Sequence, residues 1–240
     1  MTRTRSWQFL LVGLLGPSIA TACTAPIGSE DEGRLEPAPF DEAPLGAAEP
    51  AEGDAALDAL PWHSRIALER AMAEADERFA PRAGDDGAIE AGTSAIRLAV
   101  TGAGARIEAG EASFTLRATA LARGEVRREL ASSSSPSIAG SEIRSDRGTG
   151  AVEWWRALPS GLEHGLTLAS RLPGEGELAI ALEIGGGLSP RAISADAIEL
   201  VDEDGGRAAT YSHLAVLDAD GAVLRAHMEA VGGAISLVID

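Results

Sequence analysis

Ile96-Arg97-Leu98-Ala99-Val100-Thr101-Gly102-Ala103-Gly104 is the stretch that decides the fold. Ile96 to Val100 alternates, as a half-buried strand requires when neighbouring side chains point to opposite faces. Thr101-Gly102-Ala103-Gly104 then supplies turn chemistry. The same residues, at the end of a strand, invite a dinucleotide-binding reading, but Ile107 stands where a third small residue is needed. The segment beyond alternates like a strand instead of opening a helix, and no ribose-binding acid follows at a suitable distance. The reading is a hairpin.

Working outward, residues 112–117, 197–201 and 234–238 alternate, and residues 178–184 form a more continuous apolar strand. Asp204-Gly205-Gly206, Asp220-Gly221 and Gly232-Gly233 are turn signals between them. The serine-rich stretch 131–136 is a loop. Many short strands, Gly-rich turns and no helical crossover predict a mainly β domain, an antiparallel β-sandwich over residues 85–240. Ahead of it, residues 58–84 read as a helical segment packing on that domain. Ser64 caps a helix from 65 to about 79, whose apolar face is Leu68, Met72, Ala75 and Phe79. Trp62 precedes the cap and is placed to dock the helix.

Residues 1–22 read as a secretory signal peptide. Arg3 and Arg5 form the positive start, residues 9–15 the apolar stretch, Gly16-Pro17 the break and Ala20-Thr21-Ala22 the small residues before cleavage. The apolar stretch is far shorter than the ~20 residues that cross a bilayer. Cys23, the single cysteine, follows at once. This arrangement resembles a bacterial lipobox, with Ala20 where that family prefers Leu. The resemblance implies cleavage before Cys23 and lipid attachment there, and Thr24 implies outer-membrane sorting. Acyl chains would hold the protein to the membrane at ~0.8 kcal/mol per buried CH₂. Ordinary cleavage after Ala22 would instead give a secreted, soluble protein. Residues 23–57 follow as a disordered tether. Between 24 and 57 stand nine acids against Arg34, with five prolines, a composition that cannot offset chain entropy by burial.

Composition excludes several functions. With 37 acids against 20 bases the net charge is −17, which argues against nucleic acid as a partner. One cysteine rules out an internal disulfide framework and a cysteine zinc site. His63, His164, His213 and His227 form no HxH or HExxH pair, so no metal site is expected. Asp218-Ala219-Asp220-Gly221 resembles the start of a calcium loop, but Val223 occupies the sixth place where glycine is required. It reads as a turn, as does Asp202-Glu203-Asp204-Gly205. No Gly-x-Ser-x-Gly elbow occurs. A hydrolase using Glu153 and Glu163 would need both carboxylates in one cleft. No cofactor and no catalytic residue is expected. Trp154 and Trp155 are strand neighbours, so one is expected in the core and one on the other surface. The second either stacks on a sugar ring or is covered by a loop or the helix.

One block is specific enough to carry a resemblance. Glu153-Trp154-Trp155-Arg156-Ala157-Leu158-Pro159-Ser160-Gly161-Leu162-Glu163-His164-Gly165-Leu166-Thr167-Leu168 resembles the signature of a β-rich N-terminal domain of large secreted bacterial proteins that carry FG-GAP, integrin-α-like repeats. In that family the motif runs roughly E-W-Y-x-N-x-x-x-G-L-E-Q-G-F-T-L. Here Ala157 replaces the Asn, His164 the Gln and Leu166 the Phe. The resemblance spans about residues 60–240, with Gly161, Leu162, Glu163, His164 and Gly165 its most specific part. The family continues past this point into a further strand and its repeats, so the resemblance implies either a truncated relative or a last strand supplied otherwise; a missing edge strand would leave unpaired backbone groups open to a partner strand. Gly161 and Gly165 are read as turns or close approaches, and Glu163 as a buried carboxylate accepting backbone hydrogen bonds in a structural corner. The resemblance implies a non-enzymatic extracellular role in adhesion or assembly, toward a protein or glycan ligand. The alternative is a carbohydrate- or envelope-polymer-binding module using an exposed Trp.

Overall fold

The computed structural model describes residues 60–84, 86–132 and 135–240 in full, and the backbone of Gly13–Pro17. The lipobox, Cys23 and the acidic tether lie outside the described residues. The described residues form two compact units, one containing residues 13–17 and 67–240 and the other residues 60–66. Within the second, the described part is the start of a helix, α1 (Trp62–Ala75). The Pro61 carbonyl accepts the Ser64 and Arg65 amides there. The helix therefore begins at Trp62, ahead of the expected Ser64 cap. It stops at Ala75 because Asp76 turns the chain, taking the Arg78 amide and starting a 3₁₀ turn, Glu77–Phe79.

The larger unit is an antiparallel β-sandwich. In chain order its strands are β1 (Gly13–Pro17), β2 (Arg82–Ala83), β3 (Ile89–Gly92), β4 (Ile96–Thr101), β5 (Gly104–Ala109), β6 (Ala112–Arg123) and β7 (Val126–Glu129). There follow β8 (Ser137–Ala139), β9 (Glu142–Asp146), β10 (Ala151–Leu158), β11 (Gly161–Leu168), β12 (Leu178–Gly185) and β13 (Ser189–Ser194). The last are β14 (Ala197–Val201), β15 (Arg207–Ser212), β16 (Val216–Leu217), β17 (Val223–Leu224), β18 (Ala226–Val231) and β19 (Ala234–Ile239). Among the described residues the first sheet runs β13-β14-β15-β1-β11-β10-β9-β8. The second runs β18-β19-β12-β6-β5-β4-β3-β2, with β7 beside β6.

The inner faces of both sheets contribute to one buried core. Leu98, Ile107, Phe114, Leu116, Ile180 and Leu237 come from the second sheet, and Ile143, Trp155, Leu162, Leu166, Leu200 and Tyr211 from the first. The alternation seen in the sequence is what builds it. In β4, Ile96, Leu98 and Val100 are buried while Arg97 is exposed. The predicted hairpins are present. Thr101 pairs Gly104 between β4 and β5, and Gly232-Gly233, both at positive φ, join β18 to β19. The two aspartate turns work alike. Asp202 accepts the amides of Asp204 and Gly206, and Asp218 those of Asp220 and Ala222, so these carboxylates bind their own backbone.

The buried face of α1 differs from the expected one. Leu68 and Met72 are 43% and 42% exposed, whereas Glu69 and Ala73 are buried. The surface that α1 meets is polar. Arg70 donates to Glu163 at 3.1 Å, and Ser160 donates to Glu69. The buried face therefore runs through Ile66, Glu69 and Ala73 instead of Leu68 and Met72.

Candidate functional site

The block from Glu153 to Leu168 is a β-hairpin, β10 and β11, turning at Pro159-Ser160. Leu158 pairs Gly161, whose φ of 150° lies in a region that favours glycine. Gly165 is not a turn. It lies mid-strand directly across from Trp154, where the absence of a side chain leaves room for the indole. The block is therefore a central hairpin of the first sheet and not a corner. Its register places Glu153, Trp155, Leu162, His164 and Leu166 on the face toward the core. Trp154, Arg156 and Glu163 stand on the opposite face.

On the core face a polar chain crosses the sandwich. His164, fully buried, places Nε2 3.0 Å from Glu153 Oε1 and Nδ1 3.1 Å from the Tyr211 hydroxyl. The neutral tautomer with the proton on Nε2 satisfies all three groups: Tyr211 donates to Nδ1, and Nε2 donates to the carboxylate. Trp155 stacks on the imidazole with centroids 4.1 Å apart. Burial, and secondarily the Glu153 carboxylate, push the Tyr211 phenol far above its usual range. Glu153 Oε1 also accepts the Ala118 amide from the other sheet at 2.9 Å, while Arg147 Nη2 donates to the Ala118 carbonyl at 2.7 Å.

Strand β6 explains why that peptide needs partners. Ala118 lies beyond the last β5 pair (Ala105–Leu116) and before the first β7 pair (Ala120–Glu129). At the same place the register with β12 slips by one residue, so that Thr119 is skipped while Ala118 still pairs with Leu182, and the open side of Ala118 is the gap between β5 and β7. Glu153 and Arg147 clasp what the ladder leaves. Arg147 Nε lies 3.5 Å from Glu153 Oε2, and its Nε and Nη1 have no hydrogen-bond partner among the described residues. Burial is the largest influence on this guanidinium and lowers its pKa, with Glu153 opposing.

On the opposite face Glu163 is fully buried between two arginines. Arg70 holds it from α1, and Arg156 Nη1 donates to it at 3.0 Å. Arg156 also donates to Glu142 at 2.6 Å and to Ser141 at 3.1 Å, and its guanidinium lies 5.9 Å from the Trp154 ring centre. Glu163 is thus paired by side chains. The carboxylate that takes a backbone amide is Glu153.

These positions dispose of two expectations. Trp154 and Trp155 are 3% and 1% exposed, so neither offers a face to a sugar ring, and of the two alternatives for the second Trp it is the covered one that the structure shows. Glu153 and Glu163 occupy opposite faces of one hairpin and share no cleft, which removes them as a hydrolytic pair. Gly161, Leu162, His164 and Gly165 are buried as well. Among the described residues no group of His, Cys, Asp or Glu is arranged to hold a metal ion. Among the same residues no helix is long and apolar enough to cross a membrane. Two surface depressions lie on the second sheet, one lined in part by Arg78, Arg82, Arg97 and Arg106 and the other by Asp86, Thr101 and Arg117.

Sequence could have announced Glu153 and Glu163 as buried, since both sit among apolar strand residues. Their partners Arg147, Ala118 and Arg70 carry no such signal. Comparison with protein-family models, with curated proteins and with solved structures finds no match for this chain.

Proposed function

We propose that this protein is a non-enzymatic lipoprotein of the cell envelope, held to the outer membrane by lipid on Cys23 and displaying the β-sandwich as an adhesion or assembly module. The observation that carries the reading is the order of segments: a short apolar leader, Ala20-Thr21-Ala22-Cys23, then an acidic, proline-rich spacer ahead of the sandwich. Lipid on Cys23 gives the membrane attachment that a leader of that length would not. The side chains most suggestive of chemistry support a structural role for the signature block. Glu153, Glu163, His164 and Tyr211 are engaged with one another or with arginine, in the interior. The FG-GAP resemblance points the same way, toward extracellular recognition without catalysis.

The test is the intact mass of the protein recovered from the membranes of a Gram-negative host, alongside Cys23→Ser. The expected species starts at Cys23 and carries acyl chains, and Cys23→Ser abolishes both the added mass and the membrane association. An unacylated soluble product from the native chain overturns the reading.

A further inference from the structure

Strand β1 lies inside the first sheet, hydrogen-bonded on both sides. Gly13, Leu14 and Leu15 pair with His164, Glu163 and Leu162 of β11. Leu14, Leu15, Gly16 and Pro17 pair with Ser212, Tyr211, Thr210 and Ala209 of β15. These same residues end the leader's apolar stretch and form its break. Cleavage before Cys23 therefore removes a central strand. The sheet divides into β13-β14-β15 and β11-β10-β9-β8, with two open backbone edges facing each other in its middle.

We infer that the gap between β11 and β15 is a strand-acceptor site, and that the processed protein fills it with an extended, uncharged apolar segment of a partner protein. The inference rests on the cleavage reading above. Its chemistry follows from the flanks. Residues 161–166 of β11 are buried, as are Ala209 and Tyr211 of β15. On the core-facing row a charged side chain would be desolvated among Leu162, Leu166 and Ala209. Backbone pairing to both edges supplies affinity, and alternate side-chain positions supply selectivity.

The register defines those positions. The residue in the place of Leu15 stands between Leu162 and Tyr211, on the core-facing row, and takes an apolar side chain. The residue in the place of Gly13 stands across from His164. The imidazole there is stacked on Trp155 and bonded to Tyr211, which lies across the gap. A bulky residue would compete with that contact, so glycine or alanine fits. The tether is a poor donor. Its longest run free of proline and acid is four residues, 45–48, and proline removes ladder donors. A second copy carries the same tether. An outside strand is left.

The experiment uses the full chain expressed and processed in a Gram-negative host, with its N-terminus read by intact mass. The probe is a synthetic peptide of residues 11–18 with a lysine added at each end. In the chain starting at Cys23, peptide at ten times its Kd should slow amide exchange in β11 and β15 by about elevenfold. It should also raise the melting temperature. The same peptide carrying Gly13→Trp should do neither. A cleaved chain that ignores the native peptide, or whose β11 and β15 amides are already fully protected without it, overturns the acceptor site and leaves the lipoprotein reading intact. A chain that retains residues 1–22 overturns both.

Discussion

The two faces of the β10–β11 hairpin solve the same problem in different ways. Each buries a glutamate, but on the core face Glu153 is sealed with an arginine whose Nε and Nη1 lack hydrogen-bond partners among the described residues. On the opposite face Glu163 sits between two arginines, one of them, Arg70, 27% exposed. The inner arrangement satisfies the Ala118 backbone groups that lie in the gap between the β5 and β7 pairings of β6. The outer one fastens a helix. Buried charge is costly when its partner is lost and close to neutral when the whole pair is replaced by apolar groups. The inner network should therefore be the more brittle of the two.

The largest expected effect follows directly. Glu153→Ala leaves Arg147 buried without its counter-charge and strips the Ala118 amide and His164 of an acceptor. The expected loss is about 3–5 kcal/mol, read by urea denaturation. The double variant Arg147→Met with Glu153→Leu should recover much of it, since no unpaired charge remains. If the double variant is as unstable as the single, the clasp on Ala118 matters more than the ion pair, and the comparison shifts from charge to backbone satisfaction.

Glu163→Ala should cost less, about 2 kcal/mol, because Arg70 can reach water and Arg156 keeps Glu142. Its effect should be local. Limited proteolysis of the variant is expected to cut within residues 67–75 while the sandwich stays folded. A loss equal to that of Glu153→Ala, with global unfolding, would show that the outer network is as integral as the inner.

The same contrast marks what could be read in the sequence. Strands and turns were legible because they obey local rules. The period-two patterns of β4 and β19, the continuous apolar run of β12 and the Gly or Asp-Gly turns each lie within a few residues of their cause. The helix was legible as a helix but not in its rotation. Hydrophobic periodicity selects Leu68 and Met72, and the surface waiting for it was the Glu163–Arg156 pair, which ranks those residues as solvent-facing. Glu163 could be placed in the interior, but its partner Arg70 is 93 residues away in the chain. The Ala118 clasp depends on a gap between the β5 and β7 pairings that no residue in β6 announces. Both tryptophans proved buried because their strand is covered on both faces, which a central hairpin permits and its sequence alone does not reveal.

Tyr211 gives the smallest effect and the sharpest reading of the inner network. Tyr211→Phe removes one buried hydrogen bond, to His164 Nδ1, at a cost of about 1 kcal/mol near neutral pH. Its pH dependence is more informative. The native phenol titrates well above the ordinary value of ~10, held protonated by burial and by Glu153, whereas the unfolded chain releases the proton near ~10. Below that pH both states carry the proton and the tyrosine adds no slope. Above it the native state binds more protons than the unfolded one, so stability falls as pH rises, by up to ~1.4 kcal/mol per unit. Tyr211→Phe should lack this slope, so wild type and variant should converge at alkaline pH. The chain has one tyrosine, so phenolate absorbance reports this residue alone and should appear together with unfolding. Phenolate forming near pH ~10 while the near-ultraviolet circular dichroism stays native would mean that water reaches Tyr211, and the sealed character of the inner network would have to be abandoned.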